Sequence, residues 1–142
     1  MTPELENRLY NKYPELFARR KLSMDKTSMC YGICCNDGWY CLIDYCCQSL
    51  MNYYESNEIE VIPFDQIKEK FGALTIYPHF KKNLTSHYTI TRNIISLYEG
   101  LSMFICKDCG LAARRRVVGW RTVTSCNKCY RKSIKLFRKK VK

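Results

Sequence analysis

Residues 106–129 read CKDCGLAARRRVVGWRTVTSCNKC, and this stretch constrains the fold more than any other. It contains two Cys-x2-Cys pairs, Cys106/Cys109 and Cys126/Cys129, with 16 residues between them. When each pair lies in a tight turn, the four thiolates can form a tetrahedron around one Zn²⁺ with Zn–S bonds of about 2.3 Å. We therefore predict a C-terminal four-cysteine module of the zinc-ribbon or treble-clef-like type.

The residues between and after the pairs indicate how the module is built. Residues 115–118 and 120–123 are strand-like and flank Gly119, and residues 129–141 have the pattern of a short basic helix. A helix that begins at the last cysteine favours the treble-clef-like arrangement. Four cysteine ligands leave no position open to water, so we predict a structural zinc ion rather than a catalytic one. Iron–sulfur ligation or a redox pair remains an alternative.

The charged side chains are segregated along the chain. Residues 106–142 carry 13 of the 24 Lys and Arg and a single acid, Asp108, for a net charge of +12, whereas residues 1–105 carry 11 basic and 12 acidic side chains. This segregation favours a polyanionic partner, because Arg binds phosphates through paired hydrogen bonds and aromatic rings stack on exposed bases. The candidate partner-binding residues are Arg114, Arg115, Arg116, Trp120, Arg121, Tyr130, Arg131, Lys132, Lys135 and Arg138.

The class of partner stays open from the sequence. We favour nucleic acid, either RNA or DNA, or a nucleoprotein such as a ribosome or a polymerase. The alternatives are an acidic protein surface and a face that is merely solvated. No apolar run approaches the ~20 residues of a membrane span, so we predict no membrane partner. No Gly-rich phosphate loop is present, and we predict no small-molecule substrate.

The body, residues 1–104, is predicted to be an α+β domain with three helices and a β-hairpin, onto which the module of residues 105–142 docks. Apolar periodicity predicts helices over residues 3–20, 38–54 and 86–103. In the third helix the predicted inward face consists of Ile90, Ile94, Leu97, Tyr98 and Leu101.

The hairpin is predicted from two strand-like segments, residues 59–64 and 74–77. A turn at residues 71–72 lies between them, and its glycine readily adopts the positive φ that tight hairpin turns require. Residues 21–37 show little periodicity and are predicted to be a loop. Asp37 is expected to cap the helix that follows it.

Six further cysteines lie in the N-terminal part of the chain. The first residues do not resemble a signal peptide, so we expect a cytoplasmic, reducing compartment, where cysteine clusters more often bind metal than form disulfides. Cys46 already falls on the apolar stripe of the second helix, as expected for a buried structural thiol. Three interpretations stay open: burial, a disulfide or redox pair, and a second metal ion at Cys30, Cys34, Cys35, Cys46 and Cys47, with His79 or His87 as further ligands. Cys41 is the sixth cysteine of this group.

The acidic residues do not indicate catalysis. Asp65-Gln66-Ile67-Lys68 has a superficial likeness to a metal-dependent nuclease motif, but Gln stands where the second acid is needed. His79 and His87 have no neighbouring Ser or Cys motif that would mark a nucleophile and its base. We therefore predict that the protein is not an enzyme.

Three motifs are similar to those of a family of small, poorly characterised zinc-binding proteins common in bacteriophages and prophages. Residues 35–47 resemble a CGDGW…LID…C motif, residues 67–77 resemble VKEKFGxLRFY, and residues 106–122 look like the closing zinc-binding element. The family often has His where this chain has Cys129, a change that preserves zinc binding, and Arg where this chain has Thr75.

The resemblance implies a phage-type accessory protein in the cytoplasm of a bacterial host, and it supports the fold more than the task. Within it, Gly38-Trp39 is expected to start a helix and place an indole in the core. Residues 68–70 are expected to decorate the hairpin turn, with Phe71 folded back on the body. The alternative is that these positions form a partner surface. The alternative to nucleic-acid binding is a phage protein that inhibits or redirects a host enzyme or defence protein by direct contact.

Overall fold

The computed structural model describes residues 1–80 and 86–140, and in that part of the chain the architecture is mixed α+β, as predicted. The helices are α1 (Pro3–Lys12), α2 (Tyr40–Ser56), α3 (Ser86–Leu101) and α4 (Asn127–Lys140). The strands are β1 (Ile33–Cys34), β2 (Phe64–Lys70), β3 (Ala73–Pro78), β4 (Arg114–Val118) and β5 (Arg121–Ser125). Short 3-10 turns span Ala18–Lys21, Met29–Tyr31, Asp37–Trp39 and Ser102–Phe104.

The first helix is shorter than predicted. It ends at Lys12, whereas the apolar pattern predicted helix to residue 20. Pro14 explains the difference, because a proline disfavours helical backbone in the residue before it, and Tyr13 accordingly has a φ of −131°. Leu16 and Phe17 are still fully buried, so the predicted apolar contacts form from a turn rather than from a helix.

The first sheet has the order β1-β2-β3, with β1 parallel and β3 antiparallel to β2. Two predictions were wrong here. Residues 59–63, predicted to begin the first hairpin strand, precede that strand, and the segment 21–37, predicted to be a loop, contains β1. An irregularity between Phe64 and Gln66 buries Phe64 and Ile67, three residues apart, and so hides the two-residue period that predicts a strand.

The hairpin turn is confirmed at Phe71-Gly72, with φ angles of 50° and 77°. Two consecutive positive φ values in a two-residue hairpin loop correspond to a type I′ turn. The Phe71 side chain does not fold back on the body, because 73% of its surface is exposed. Residues 68–70 belong to β2 rather than to the turn.

Helix α2 supplies one wall of the core. The predicted stripe is confirmed, since its five members are all buried: Trp39, Leu42, Ile43, Cys46 and Leu50. Asp37 does not cap the helix; its Oδ1 accepts a hydrogen bond from the backbone N–H of Thr2 at 2.7 Å and holds the start of α1 instead.

Helix α3 presents a different face from the one predicted. Thr91 and Ile95 point into the core, while Ile90, Leu97 and Leu101 are exposed. Ile94 and Tyr98, also predicted to face inward, are partly buried. In the described residues, no helix has the length and apolar character needed to cross a membrane.

The open edge of β3 explains this orientation of α3. Glu99 Oε1 accepts a hydrogen bond from Ile76 N at 2.8 Å, and Arg92 Nη1 donates to Ile76 O at 3.0 Å. The backbone N–H and C=O of Ile76 would be costly if they were buried and unpaired. Arg92 and Glu99, the only two charged residues of α3, therefore face the sheet and bind them. The apolar stripe is rotated toward solvent as a result.

Candidate metal centre and basic face

The four predicted metal ligands come together at one point. The Sγ atoms of Cys106, Cys109, Cys126 and Cys129 all lie within 4.8 Å of one another, the only such group of three or more potential ligands among the described residues. The distance from Cys109 Sγ to Cys126 Sγ is 3.7 Å. A tetrahedron with Zn–S bonds of ~2.3 Å has edges of ~3.8 Å, so this separation fits a shared metal ion. It is much longer than the ~2.05 Å of a disulfide.

The first cysteine pair lies in a turn held by backbone hydrogen bonds. Gly110 N donates to Cys106 O at 2.9 Å, and Cys106 N donates to Leu111 O at 2.7 Å. An isolated bridge between Ile105 and Ala112 closes the base of this turn. These backbone hydrogen bonds set the spacing of the first two ligands.

The second pair lies at the start of α4. Tyr130 N donates to Cys126 O at 2.9 Å, which is the first turn of the helix. Cys129 N donates to Cys126 Sγ at 3.5 Å, and this N–H lowers the pKa of the Cys126 thiol, whereas burial raises the pKa of the Cys129 thiol. The lowered pKa favours the Cys126 thiolate, which is the form that binds a metal ion.

The β4–β5 hairpin joins the two pairs, as the sequence predicted, with Gly119 and Trp120 in its turn. Strand β5 ends at Ser125, immediately before Cys126. The register pairs Arg116 with Val123 and Val118 with Arg121. A cysteine turn, a hairpin and a helix that carries the second cysteine pair therefore follow one another along the chain.

The body holds the first cysteine turn through residues 36–39. Gly38 N donates to Lys107 O at 2.8 Å, and Asn36 Nδ2 donates to Asp108 Oδ1 at 2.5 Å. The buried indole of Trp39 donates from Nε1 to Ile105 O at 2.9 Å. The Trp39 indole is buried in the core, as predicted, and these contacts give the residues that resemble CGDGW the further role of holding the first cysteine turn.

The six N-terminal cysteines do not form a second cluster. Within residues 1–80 and 86–140 they contribute to no group of three close ligands, and neither His79 nor His87 joins one. All six are free thiols. Burial raises the pKa of Cys35 and of Cys46 to about 12 and raises that of Cys47 well above its ordinary value. These three are inert core residues, whereas Cys34 and Cys41 are exposed.

Asp65, from the nuclease-like segment, has both carboxylate oxygens occupied. Oδ1 lies 2.6 Å from Arg19 Nε, and Oδ2 lies 2.8 Å from His79 Nδ1. The side chain therefore ties the chain near α1 to the sheet.

Of the eight predicted basic residues, Arg115 and Arg116 donate hydrogen bonds within the protein and the other six form a separate, exposed group. Arg114, Arg121, Arg131, Lys132, Lys135 and Arg138 are exposed, and none of them forms an ion pair among the described residues. Lys128, Arg131, Lys132 and Lys135 line a shallow depression on α4, and Asn127 connects it to a second depression beside Arg114 and Arg116. We call these residues of β4 and α4 the basic face.

Three predicted partner-binding residues also have structural contacts. Arg115 Nη2 donates to Phe71 O at 2.8 Å, and Arg116 Nε donates to Ser125 O at 3.0 Å. The Arg116 guanidinium covers the Tyr130 ring at 4.7 Å, and Tyr130 Oη donates to Val117 O. An arginine thus lies over the Tyr130 ring, as Arg121 does over Trp120, but Tyr130 is half-buried, whereas the Trp120 side chain is 79% exposed.

Comparisons with known proteins add no identification. No family model matches the chain, and neither a curated protein nor a solved structure matches it.

Proposed function

We propose that this chain is a non-enzymatic zinc-binding protein of the phage accessory type, whose basic face binds nucleic acid or a nucleoprotein. The observation that supports it most is the uncompensated charge of the module. Residues 106–142 have a net charge of +12, and the only ion pair in their described part joins Lys107 to Glu69. Cations that pair with no carboxylate are free to bind an external anion.

The metal centre supports the proposal as a scaffold. The arrangement of cysteine turn, hairpin and ligand-bearing helix corresponds to a treble-clef-like module, and four thiolates saturate a tetrahedral Zn²⁺. The ion would join the first cysteine turn to the start of α4, because each supplies two of the four ligands, and the hairpin lies between them in the chain. The basic side chains of β4 and α4 are thereby held in a constant arrangement, which lowers the entropy lost when phosphates bind them.

Phosphate binding is the chemistry that this surface fits. The basic face includes arginines, which can contact phosphate oxygens in pairs, and its two depressions are continuous through Asn127. Each phosphate neutralised on duplex DNA releases counterions, so affinity should fall with salt at a log–log slope of about −0.9 per contact.

The test compares two triple variants in a salt titration of binding to RNA and to duplex DNA. Arg131→Ala/Lys132→Ala/Lys135→Ala removes three charges from the basic face. Arg8→Ala/Lys21→Ala/Lys26→Ala removes three exposed charges from the body and serves as the control. We expect the first variant to bind several-fold more weakly with a shallower salt slope. Equal loss in both variants, or no binding at physiological salt, would contradict the proposal.

A second candidate is direct contact with a host protein, and one observation favours it. Phe104 and Leu111 lie on the two segments that flank the Ile105–Ala112 bridge, and both side chains are largely exposed. Neighbouring exposed apolar residues can mark a surface that contacts another protein. Binding to a protein partner that depends on these residues and persists at high salt would favour this candidate over nucleic acid.

A further inference from the structure

The tip of the first hairpin packs against the strands of the second hairpin. The turn of the β2–β3 hairpin packs its Gly72 against the backbone of Thr122 and Val123, where an added Cβ would lie 3.2 Å from each. Thr124 Oγ1 donates to Gly72 O at 2.5 Å. Together with the bond from Arg115 to Phe71 O, these contacts fix the first hairpin tip on the second hairpin.

An aromatic ring stands exposed at each tip. Trp120 is 79% exposed and Phe71 is 73% exposed, more than any other large apolar side chain among the described residues. Both residues line one cavity of about 460 Å³, together with Arg121 and Lys107. Two large rings beside a shared cavity form a surface that can hold flat apolar groups.

The stability of the fold does not explain why position 71 is a phenylalanine. Its φ of 50° lies in the left-handed region, where Asn, Asp and Gly are favoured and a bulky residue is strained. Its ring is mostly in water, so burial does not offset that strain. A phenylalanine that strains the backbone and leaves its ring in solvent is better explained by contact with a ligand.

The charges around the cavity complement a polyanion. The Arg121 guanidinium lies 4.5 Å from the centre of the Trp120 ring, and Lys70 Nζ lies 5.8 Å from that of Phe71. Glu69, the acid in the lining, is neutralised by Lys107 at 2.7 Å. Each ring thus has a cation over one face. A base that stacks on the opposite face would have its phosphate close to that cation.

We propose that the cavity between Phe71 and Trp120 binds single-stranded nucleic acid, with a base stacked on each ring. A duplex does not fit this role as well, because its base faces are covered by neighbouring base pairs. The inference rests on the proposed function and deepens it. The basic face follows the backbone of the strand, and the two hairpin tips bind its bases.

The test uses the full-length, zinc-loaded protein with a 12-nucleotide oligo(dT), an oligo(U) of equal length and a 12-base-pair duplex. The chain has two tryptophans, and Trp39 is fully buried, so quenching of intrinsic fluorescence reports on Trp120. We expect quenching by the single strands and tighter binding of them than of the duplex. A preference between oligo(dT) and oligo(U) identifies the polymer, and either preference supports the proposal.

Two variants and one control make the result specific. Trp120→Ala and Phe71→Asn should each weaken single-strand binding about 5- to 100-fold. Phe71→Asn should also leave the melting temperature unchanged or higher, because Asn suits a positive φ, and a purely structural Phe71 would give the opposite result. Tyr45→Ala removes an exposed aromatic ring on α2 and should change neither property.

These experiments distinguish failure of this inference from failure of the proposed function. If Phe71→Asn and Trp120→Ala bind as the unmodified protein does while the basic-face triple variant does not, this inference is wrong and the proposed function stands. Duplex binding at least as tight as single-strand binding also overturns the inference alone. If no oligonucleotide binds at physiological salt, the proposed function fails and the inference fails with it.

Discussion

Gly38 lies so close to Cys106 that a β-carbon on it would be 2.2 Å from the Cys106 carbonyl oxygen and 2.6 Å from the Cys109 backbone nitrogen. Both neighbours are backbone atoms of the first cysteine turn, and they cannot rotate away as a flexible side chain can. The body and the metal centre therefore share a contact surface that only glycine permits.

Replacing Gly38 with alanine should destabilise the protein and weaken metal binding together. The added methyl group must displace the cysteine turn, and overpacking of this kind costs about 1–3 kcal/mol. Urea denaturation and a competitive zinc titration would measure the two effects. Gly100→Ala is the matched control: its β-carbon would meet nothing within 4 Å, and alanine stabilises a helix by up to about 1 kcal/mol. Equal stability changes in the two variants would refute the close contact.

The protein should bind one zinc ion per chain. Elemental analysis of protein purified without added metal would give the stoichiometry and would separate zinc from iron. Cys109→Ser should lose the ion, because one of four ligands is removed, whereas Cys41→Ser, at an exposed cysteine outside the cluster, should retain it. A bound metal that survives Cys109→Ser would place the site elsewhere.

Metal removal should lower stability. Structural zinc contributes directly to the free energy of folding because the unfolded chain lacks the preformed site. A chelator is therefore expected to lower the melting temperature of the unmodified protein and to have little effect on the Cys109→Ser variant. Identical melting curves with and without chelator would show that the fold does not depend on the ion.

Cysteine alkylation should proceed in three steps. In the zinc-loaded protein at pH 8, Cys34 and Cys41 should react first because they are exposed. The four ligands should react only after a chelator is added. Cys35, Cys46 and Cys47 should react only on unfolding, since burial raises their pKa values and excludes the reagent. Peptide mass spectrometry after timed quenching gives the order, and early labelling of Cys46 would contradict the described core.

Stability should fall in alkaline solution. The pKa of buried Cys46 is raised to about 12 from an ordinary value of 9, so folding keeps the thiol protonated while the unfolded chain ionises. The contribution of this thiol to the free energy of unfolding is complete below pH 9 and is lost as the pH rises from about 9 toward 12. Denaturation at pH 8 and pH 10 under reducing conditions would show the loss. The decrease should be smaller in Cys46→Ala, and an identical decrease would assign it to other groups.

Local patterns predicted those elements whose packing follows a single period. The stripe of α2 was correct because an unbroken i, i+3, i+4 pattern faces one core wall. The four predicted ligands lie together because each Cys-x2-Cys pair forms a tight turn and a short hairpin brings the two turns to one point. The Phe71-Gly72 turn was located by its glycine.

Contacts between residues that are distant in the sequence explain the features that local patterns did not predict. The face of α3 is set by Arg92 and Glu99, whose partners lie on β3, so an apolar stripe was mistaken for the buried one. The role of Gly38 depends on backbone 68 residues away, at Cys106. Phe71 was expected either to fold back on the body or to belong to a partner surface, and the local sequence does not decide between the two. Only the structure shows that its ring is in solvent.

The bond from the Trp39 indole to Ile105 O has a consequence for the life of the protein in a cell. Ile105 immediately precedes the first metal ligand, so loss of the ion loosens the partner of the largest side chain in the core. We expect zinc starvation to expose the chain to proteases and to lower its abundance. The supply of one trace element would then determine how long each copy of the protein persists.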